Sequence, residues 1–97
     1  MTDARPAATP TVFIDNETVR VTEWRFAPGA ATGWHRHEMN YVVVPMTTGK
    51  LRLETPDGVI EAELEAGKPY YRDAGVEHDV VNANGFEFVF IETEMKT

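Results

Sequence analysis

Gly29-Ala-Ala-Thr-Gly-Trp-His35-Arg-His37 and Gly67-Lys-Pro-Tyr-Tyr-Arg-Asp-Ala-Gly-Val-Glu-His78-Asp-Val-Val-Asn82 are two glycine-led segments that contain all three histidines of the chain. His35 and His37 are two residues apart, so both rings leave the same face of a strand. His78, on another strand of the same barrel, would complete a cluster of imidazole ligands. We therefore predict a metal site formed by His35, His37 and His78.

Short β-type runs separated by turn signals fill the chain, and no stretch shows a sustained helical period. The 97 residues suffice for one small domain. Residues 1–10 contain two prolines and few large apolar side chains, and we predict a flexible N-terminal arm there, before an all-β barrel over 11–97. The predicted strands are Thr11–Ile14, Thr18–Phe26, Gly33–Met39, Tyr41–Met46, Lys50–Thr55, Val59–Leu64, Pro69–Arg72, His78–Val81 and Phe86–Thr93.

Two dipeptides, Asp57-Gly58 and Asn84-Gly85, are typical of tight hairpin turns. A two-residue loop at Asp57-Gly58 would pair Leu53 with Ala62 and Leu51 with Leu64. That register keeps the apolar residues of both strands on one face.

Composition excludes several classes of function. The formal net charge is −7, and the nine basic residues are scattered singly, so nucleic acid is not an expected partner. The chain has no cysteine, which excludes thiolate chemistry and fits a cytoplasmic protein. No apolar run approaches the length of a membrane span, and the N-terminus lacks the apolar core of a secretory signal.

The last predicted strand, Phe86-Glu-Phe-Val-Phe-Ile91, is apolar on both faces. One face would be exposed to water in a single barrel, so we predict that this region packs against a second copy of the chain in a homodimer. The alternative is that the N-terminal arm covers this face.

The two glycine-led segments resemble the two signature motifs of the cupin superfamily. In the first motif, glycines precede and follow the two histidines at fixed spacing; in the second, two glycines precede the histidine and an asparagine follows it. The first is matched by Gly29, His35, His37 and Gly49, and the second by Gly67, Gly75, His78 and Asn82, with Asp73 at the position of the motif proline. The resemblance implies a double-stranded β-helix (jelly-roll) barrel that binds a divalent metal near its mouth. The motif glycines are expected at turns that need permissive backbone angles.

The first motif lacks the glutamate that the family uses as a metal ligand. Tyr41 and Val42 occupy the two positions where it would stand, and strand parity from His37 places Tyr41 inside. We therefore expect a three-histidine site with Tyr41 as a catalytic hydrogen-bond donor to the bound substrate. Imidazole ligands suit Fe, Zn, Ni, Cu and, less well, Mn, so the sequence does not select the metal.

The absence of a ligating carboxylate leaves the positive charge of the metal uncompensated, which favours anionic ligands. We expect a metal-dependent enzyme that acts on a small carboxylate or polar metabolite, as a dioxygenase or as an isomerase. The alternative is a non-catalytic module that binds or senses a small ligand. Shorter runs resemble small single-domain cupins labelled beta-alanine degradation proteins: Val21–Gly29, Trp34–His37, Tyr41–Pro45 and Ala74–His78.

Overall fold

The computed structural model describes residues 5–96 and contains two facing β-sheets. The strands in this range are β1 (Thr9–Asp15), β2 (Val19–Phe26), β3 (His35–Arg36), β4 (Tyr41–Pro45), β5 (Gly49–Thr55), β6 (Gly58–Leu64), β7 (Tyr70–Arg72), β8 (Glu77–Asn82) and β9 (Phe88–Met95). One sheet has the order β1-β2-β9-β4-β7, and the other has the order β3-β8-β5-β6. The predicted all-β jelly-roll architecture of one small domain is confirmed. No helix within residues 5–96 has the length and hydrophobicity needed to cross a membrane.

The core lies between the two sheets. Phe26 and Phe88 are fully buried there, with Leu51 at 1% exposure. The rings of Phe26 and Phe90 pack with their centroids 5.4 Å apart. Asn82, in β8, fixes the adjoining loops because its side-chain Nδ2 donates to the backbone oxygens of Phe26, Ala27 and Phe86.

The N-terminal segment is joined to the barrel from the first described residues onward. Arg5 forms ion pairs with Glu54 and Asp79, at 2.6 Å and 3.3 Å. Ala7 bridges to Ala31, and Ala8 is buried. β1 begins at Thr9, so the predicted boundary between arm and barrel after residue 10 lies inside a strand. Residues 1–4 of the predicted arm lie outside the described residues.

The hairpin of β5 and β6 differs from its predicted register by two residues. Thr55 pairs with Gly58, so the turn consists of Pro56 and Asp57. This turn position favours Pro56, because the ring of proline already fixes φ near the value that the turn needs. Thr55 Oγ1 accepts from the Asp57 N–H and donates to the Gly58 oxygen. The two apolar rows still share a face, because a shift of two residues preserves strand parity, but Leu53 pairs with Ile60 and Leu51 with Ala62.

The Asn84-Gly85 hairpin prediction is wrong. This segment connects β8 to β9, and the two strands belong to different sheets. The predicted strand at Gly33–Met39 is also shorter than expected. It is confined to His35–Arg36, because the backbone of His37 pairs instead with the loop residues Gly75 and Val76.

Candidate metal centre

The three histidines come together from two strands and the residue next to one of them. β3 pairs with β8 so that His35 lies directly opposite His78. His37 follows β3 and turns its ring onto the same spot. His35 Nε2 lies 3.0 Å from His37 Nε2, and His37 Nε2 lies 3.2 Å from His78 Nε2. The convergence predicted for His35, His37 and His78 is therefore confirmed.

The protonation of these rings suits metal ligation. Burial lowers the pKa of His37 to about 4, with a further contribution from the nearby His35. Burial likewise lowers the pKa of His78 to about 3, assisted by His35, His37 and Arg72. The Nδ1 of His35 lies 2.8 Å from the Gly33 oxygen, which can only accept a hydrogen bond, so Nδ1 is the donor and Nε2 faces the other two rings. The buried imidazoles are thus neutral at physiological pH, the form that binds a cation.

The spacing of the nitrogens also fits a single ion. Imidazole nitrogens bind first-row metals at about 2.0–2.1 Å, so two ligands of one ion lie at most about 4.2 Å apart. The separations of 3.0 Å and 3.2 Å between the Nε2 atoms satisfy this limit. The histidine set is therefore a chemically suitable group for a divalent metal.

Tyr41 lies inside the barrel, as strand parity predicted, and it is 2% exposed. Its ring stacks on His37 with centroids 3.9 Å apart and planes inclined by 18°. Burial raises the pKa of its phenol above the usual value, so the group is a neutral hydroxyl. Val42, the other position considered for the missing glutamate, is half-buried and lies on the opposite face of β4.

Glu92 is a site residue that the sequence analysis missed. It lies on β9, opposite Val43 of β4, and it is 7% exposed. Its Oε2 is 3.9 Å from His37 Nε2. Burial, together with the charge of Glu94, raises the pKa of Glu92 to about 7. A signal was available, since Phe88, Phe90 and Glu92 alternate on one face of the strand and the buried phenylalanines fix that face as inward.

A cavity of about 310 Å³ is lined by His35 and His78. Its wall combines polar and apolar side chains from both sheets: Trp24, Thr32, His35, Tyr41, Val43, Leu51, Leu53, Ala62, Glu63, Leu64, Tyr70, Arg72, His78, Val80, Phe90 and Glu92. Trp24 and Tyr70 contribute aromatic rings to this wall. Trp34 and Tyr71 are exposed, and Arg25 forms surface ion pairs with Glu23 and Glu87.

Sequence comparison agrees with this arrangement. A profile described as a cupin domain matches residues 22–93, which include all three histidines. The chain belongs to the cupin family. The beta-alanine degradation protein BauB of Pseudomonas aeruginosa is 63% identical to the chain over 92 residues, covering 95% of this chain and 97% of that protein.

Solved structures of other proteins share the fold. The crystal structure of a cupin domain from Bordetella pertussis superposes with a TM-score of 0.97 at 60% identity, covering 99% of this chain and all of the other. The polyketide cyclase RemF from Streptomyces resistomycificus superposes with a TM-score of 0.74 at 22% identity, covering 98% of this chain and 71% of that protein. The second similarity concerns the fold alone.

Proposed function

We propose that this cupin is a metal-dependent enzyme that acts on a small carboxylate or related polar metabolite. The observation that carries the proposal is the convergence of three Nε2 atoms beside a cavity that His35 and His78 line. The Nε2 of His37 lies 3.0 Å from that of His35 and 3.2 Å from that of His78. A divalent ion of Fe, Zn, Ni, Mn or Cu would be held by His35, His37 and His78. When bound, such an ion supplies Lewis-acid activation of a substrate oxygen or, for redox metals, chemistry with dioxygen.

The residues around the histidines support chemistry on an anion. Neutral imidazoles do not cancel the charge of a dication, so an acidic substrate would be attracted to this position. Arg72, an exposed residue of the cavity wall, adds a further positive charge. Tyr41 would donate its hydroxyl proton in a hydrogen bond to the substrate, because its buried phenol stays neutral. Glu92 would accept or return a proton, since its raised pKa lies near physiological pH.

Two reaction types are consistent with this proposal, namely dioxygenation and isomerisation through proton transfer. The name of the Pseudomonas relative associates that protein with beta-alanine degradation, and we propose a role for this chain in the same area of acid catabolism. A cytoplasmic location remains a prediction from the cysteine-free composition.

The test begins with metal content. Protein purified without a nickel column is expected to contain one divalent ion per chain by elemental analysis, and His37→Ala is expected to lose it. Glu38→Ala is the matched control, because this neighbouring carboxylate is exposed and pairs with Arg36. Retention of the ion by His37→Ala would contradict the proposal.

Activity assays on the metal-loaded protein then separate the two functional readings. Oxygen uptake and solvent-deuterium incorporation would be measured over a panel of small oxo and hydroxy acids. Turnover by the unmodified protein that is lost in Glu92→Gln supports the proposal that the protein is an enzyme. Ligand binding without turnover by any member of the panel supports the alternative, a non-catalytic binding or sensing module.

We further propose that two copies form a homodimer through the outer face of the five-stranded sheet. The outer face of three neighbouring strands carries an apolar patch, interspersed with Glu23 and Thr93, whose members are half-buried in the single chain: Val21, Val42, Val44 and Ile91. On the adjacent β1, Phe13 is 56% and Ile14 is 48% exposed. The described part of the N-terminal arm does not cover this apolar patch, because Arg5 contacts Glu54 and Ala7 contacts Ala31 instead.

Sedimentation measurements test the dimer. Val44→Lys places a charge in the apolar patch and is expected to yield single chains. Val59→Lys, which changes an exposed valine on β6, is the control and should leave the assembly intact. A single chain in the unmodified protein would contradict the proposal.

A further inference from the structure

The cavity changes from polar to apolar with distance from the histidines. On three strands the inward side chain is polar next to the histidines and apolar two residues further: His78 and Val80, Tyr41 and Val43, Glu92 and Phe90. Alternate residues of a strand share a face, so each step moves deeper into the same space. Leu51 and Leu53 continue the apolar wall on β5. A ligand that fills the cavity therefore needs one polar end and one apolar end.

The size of the cavity exceeds that of a three-carbon acid. An apolar cavity of about 150 Å³ is known to hold one benzene molecule. By that measure a volume of about 310 Å³ suits a ligand of roughly twelve non-hydrogen atoms. A three-carbon acid would leave about half of this apolar space without a partner.

Arg72 provides a cation at the polar end. It lies on β7 directly opposite Tyr41 of β4, and Tyr41 stacks on His37. Its guanidinium is stacked over the Tyr70 ring, 4.9 Å from the centroid. Within residues 5–96 no carboxylate lies in ion-pair distance of Arg72, although most other arginines of this range form such pairs. The planar guanidinium is thus available for a carboxylate.

From these features we infer that the substrate is an amphiphilic carboxylate whose hydrocarbon body occupies the apolar interior. Its acid group binds between the histidines and Arg72, and a body of about six to eight carbons extends past Val80 and Phe90. The inference rests on the proposed function, because the histidine end with its ion is one anchor of the acid group.

A chain-length series tests the inference directly. Straight-chain acids from acetate to decanoate would be titrated calorimetrically into the full-length protein loaded with Zn²⁺. Affinity is expected to rise about fourfold per methylene up to octanoate and to stop rising at decanoate. Equal affinity for acetate and octanoate would overturn the inference.

Substitutions in the wall locate the hydrocarbon body. Ala62→Phe fills the cavity from β6 and is expected to weaken octanoate binding about tenfold or more, with acetate binding and Zn²⁺ content unchanged. Ala62→Val, a smaller intrusion, should give an intermediate loss and keeps the test valid if the larger ring prevents folding. Val59→Phe adds the same ring on the outer face of the same strand and is the control. Unchanged octanoate binding in both Ala62 variants would overturn the inference.

Arg72→Gln tests the acid end. This substitution is expected to weaken the binding of octanoate about tenfold and to leave the binding of octan-1-ol unchanged. An equal loss for acid and alcohol would overturn the assignment of Arg72 to the acid group.

The proposed function fails separately, if elemental analysis and titration show that no divalent ion binds. The same chain-length series on metal-free protein then still decides the inference. A rise in affinity with chain length supports the amphiphilic ligand, and its absence overturns it.

Discussion

The ring of Tyr41 stacks face to face on the imidazole of His37, with centroids 3.9 Å apart. Each residue is at most 5% exposed. Tyr41 occupies a position where the first cupin motif has its glutamate, and it holds His37 in place through an aromatic contact. The neutral phenol makes this residue a support and a hydrogen-bond donor, in contrast to the anionic ligand that it replaces.

Tyr41→Phe and Tyr41→Ala are expected to behave differently. Tyr41→Phe keeps the stack, so metal affinity and stability should change little, while turnover falls if the hydroxyl contacts the substrate. Tyr41→Ala removes a buried ring and should lower the free energy of unfolding by about 3 kcal/mol and weaken metal binding. Urea unfolding and metal titration of the two variants check this, and weak metal binding by Tyr41→Phe would contradict the assigned role.

The buried histidines should make the metal-free protein sensitive to acid. The folded pKa values of His37 and His78 are about 4 and about 3, below the ordinary value near 6.5. Below pH 6.5 the unfolded imidazoles bind protons that the folded ones do not, so this contribution to stability is lost as the pH falls from about 6.5 towards 4. The expected loss is a few kcal/mol.

His78→Gln isolates this effect, because the other titrating groups are common to both proteins. The difference in unfolding free energy between His78→Gln and the unmodified protein should shift in favour of the variant as the pH falls from 7.5 to 5. Urea unfolding in the presence of a chelator measures it. A difference that is independent of pH would show that His78 is not buried in its neutral form.

Glu92 should have the opposite dependence. Its folded pKa of about 7 lies above its ordinary value of 4.5, so the folded state binds the proton more tightly than the unfolded state does. Ionisation of Glu92 therefore costs stability as the pH rises from about 4.5 to about 7, and the cost persists at higher pH. Glu92→Gln removes the charge and should be more stable than the unmodified protein at pH 8 by up to about 3 kcal/mol.

Near pH 4.5 the two proteins should have similar stability, which distinguishes a charge effect from a packing effect. Glu61→Gln, an exposed change on β6, serves as the control and should stay within about 0.5 kcal/mol at both pH values. Urea unfolding at pH 4.5 and pH 8 is the measurement. A destabilised Glu92→Gln at pH 8 would show that the carboxylate is stabilised by its surroundings.

Local pattern and motif spacing predicted the fold and the three histidines, because strand parity determines which side chains share a face. The hairpin register was missed by two residues, since parity is the same for both registers and only Pro56 distinguishes them. Glu92 was missed for a different reason. The prediction for its strand, β9, rested on the apolar residues alone. The position of Glu92 beside His37 depends on the long-range pairing of β9 with β4, which local sequence does not specify.

Gly49 shows how a motif residue can be required for another reason than the expected one. Gly29, Gly67 and Gly75 have positive φ, as predicted for turn glycines, but Gly49 is not among the positive-φ residues and begins β5. A Cβ at Gly49 would lie 2.7 Å from Asn84 Oδ1. The Asn84 side chain accepts from the Lys50 N–H at 2.9 Å and donates to the Lys50 oxygen at 2.8 Å. The glycine therefore makes room for an amide that pairs with the backbone of β5.

Gly49→Ala is accordingly expected to lower the free energy of unfolding by about 1–2 kcal/mol, because it displaces Asn84 from two hydrogen bonds. In an Asn84→Ala background the same substitution should cost much less, since the obstructing amide is gone. Urea unfolding of the two single variants and the double variant gives the coupling energy, which should be at least about 0.5 kcal/mol. Gly67→Ala is the control, because its cost comes from a φ of 83° and not from a contact, and it should add independently to Asn84→Ala. Additive effects of Gly49→Ala and Asn84→Ala would show that close approach of Asn84 is not the reason for glycine at this position.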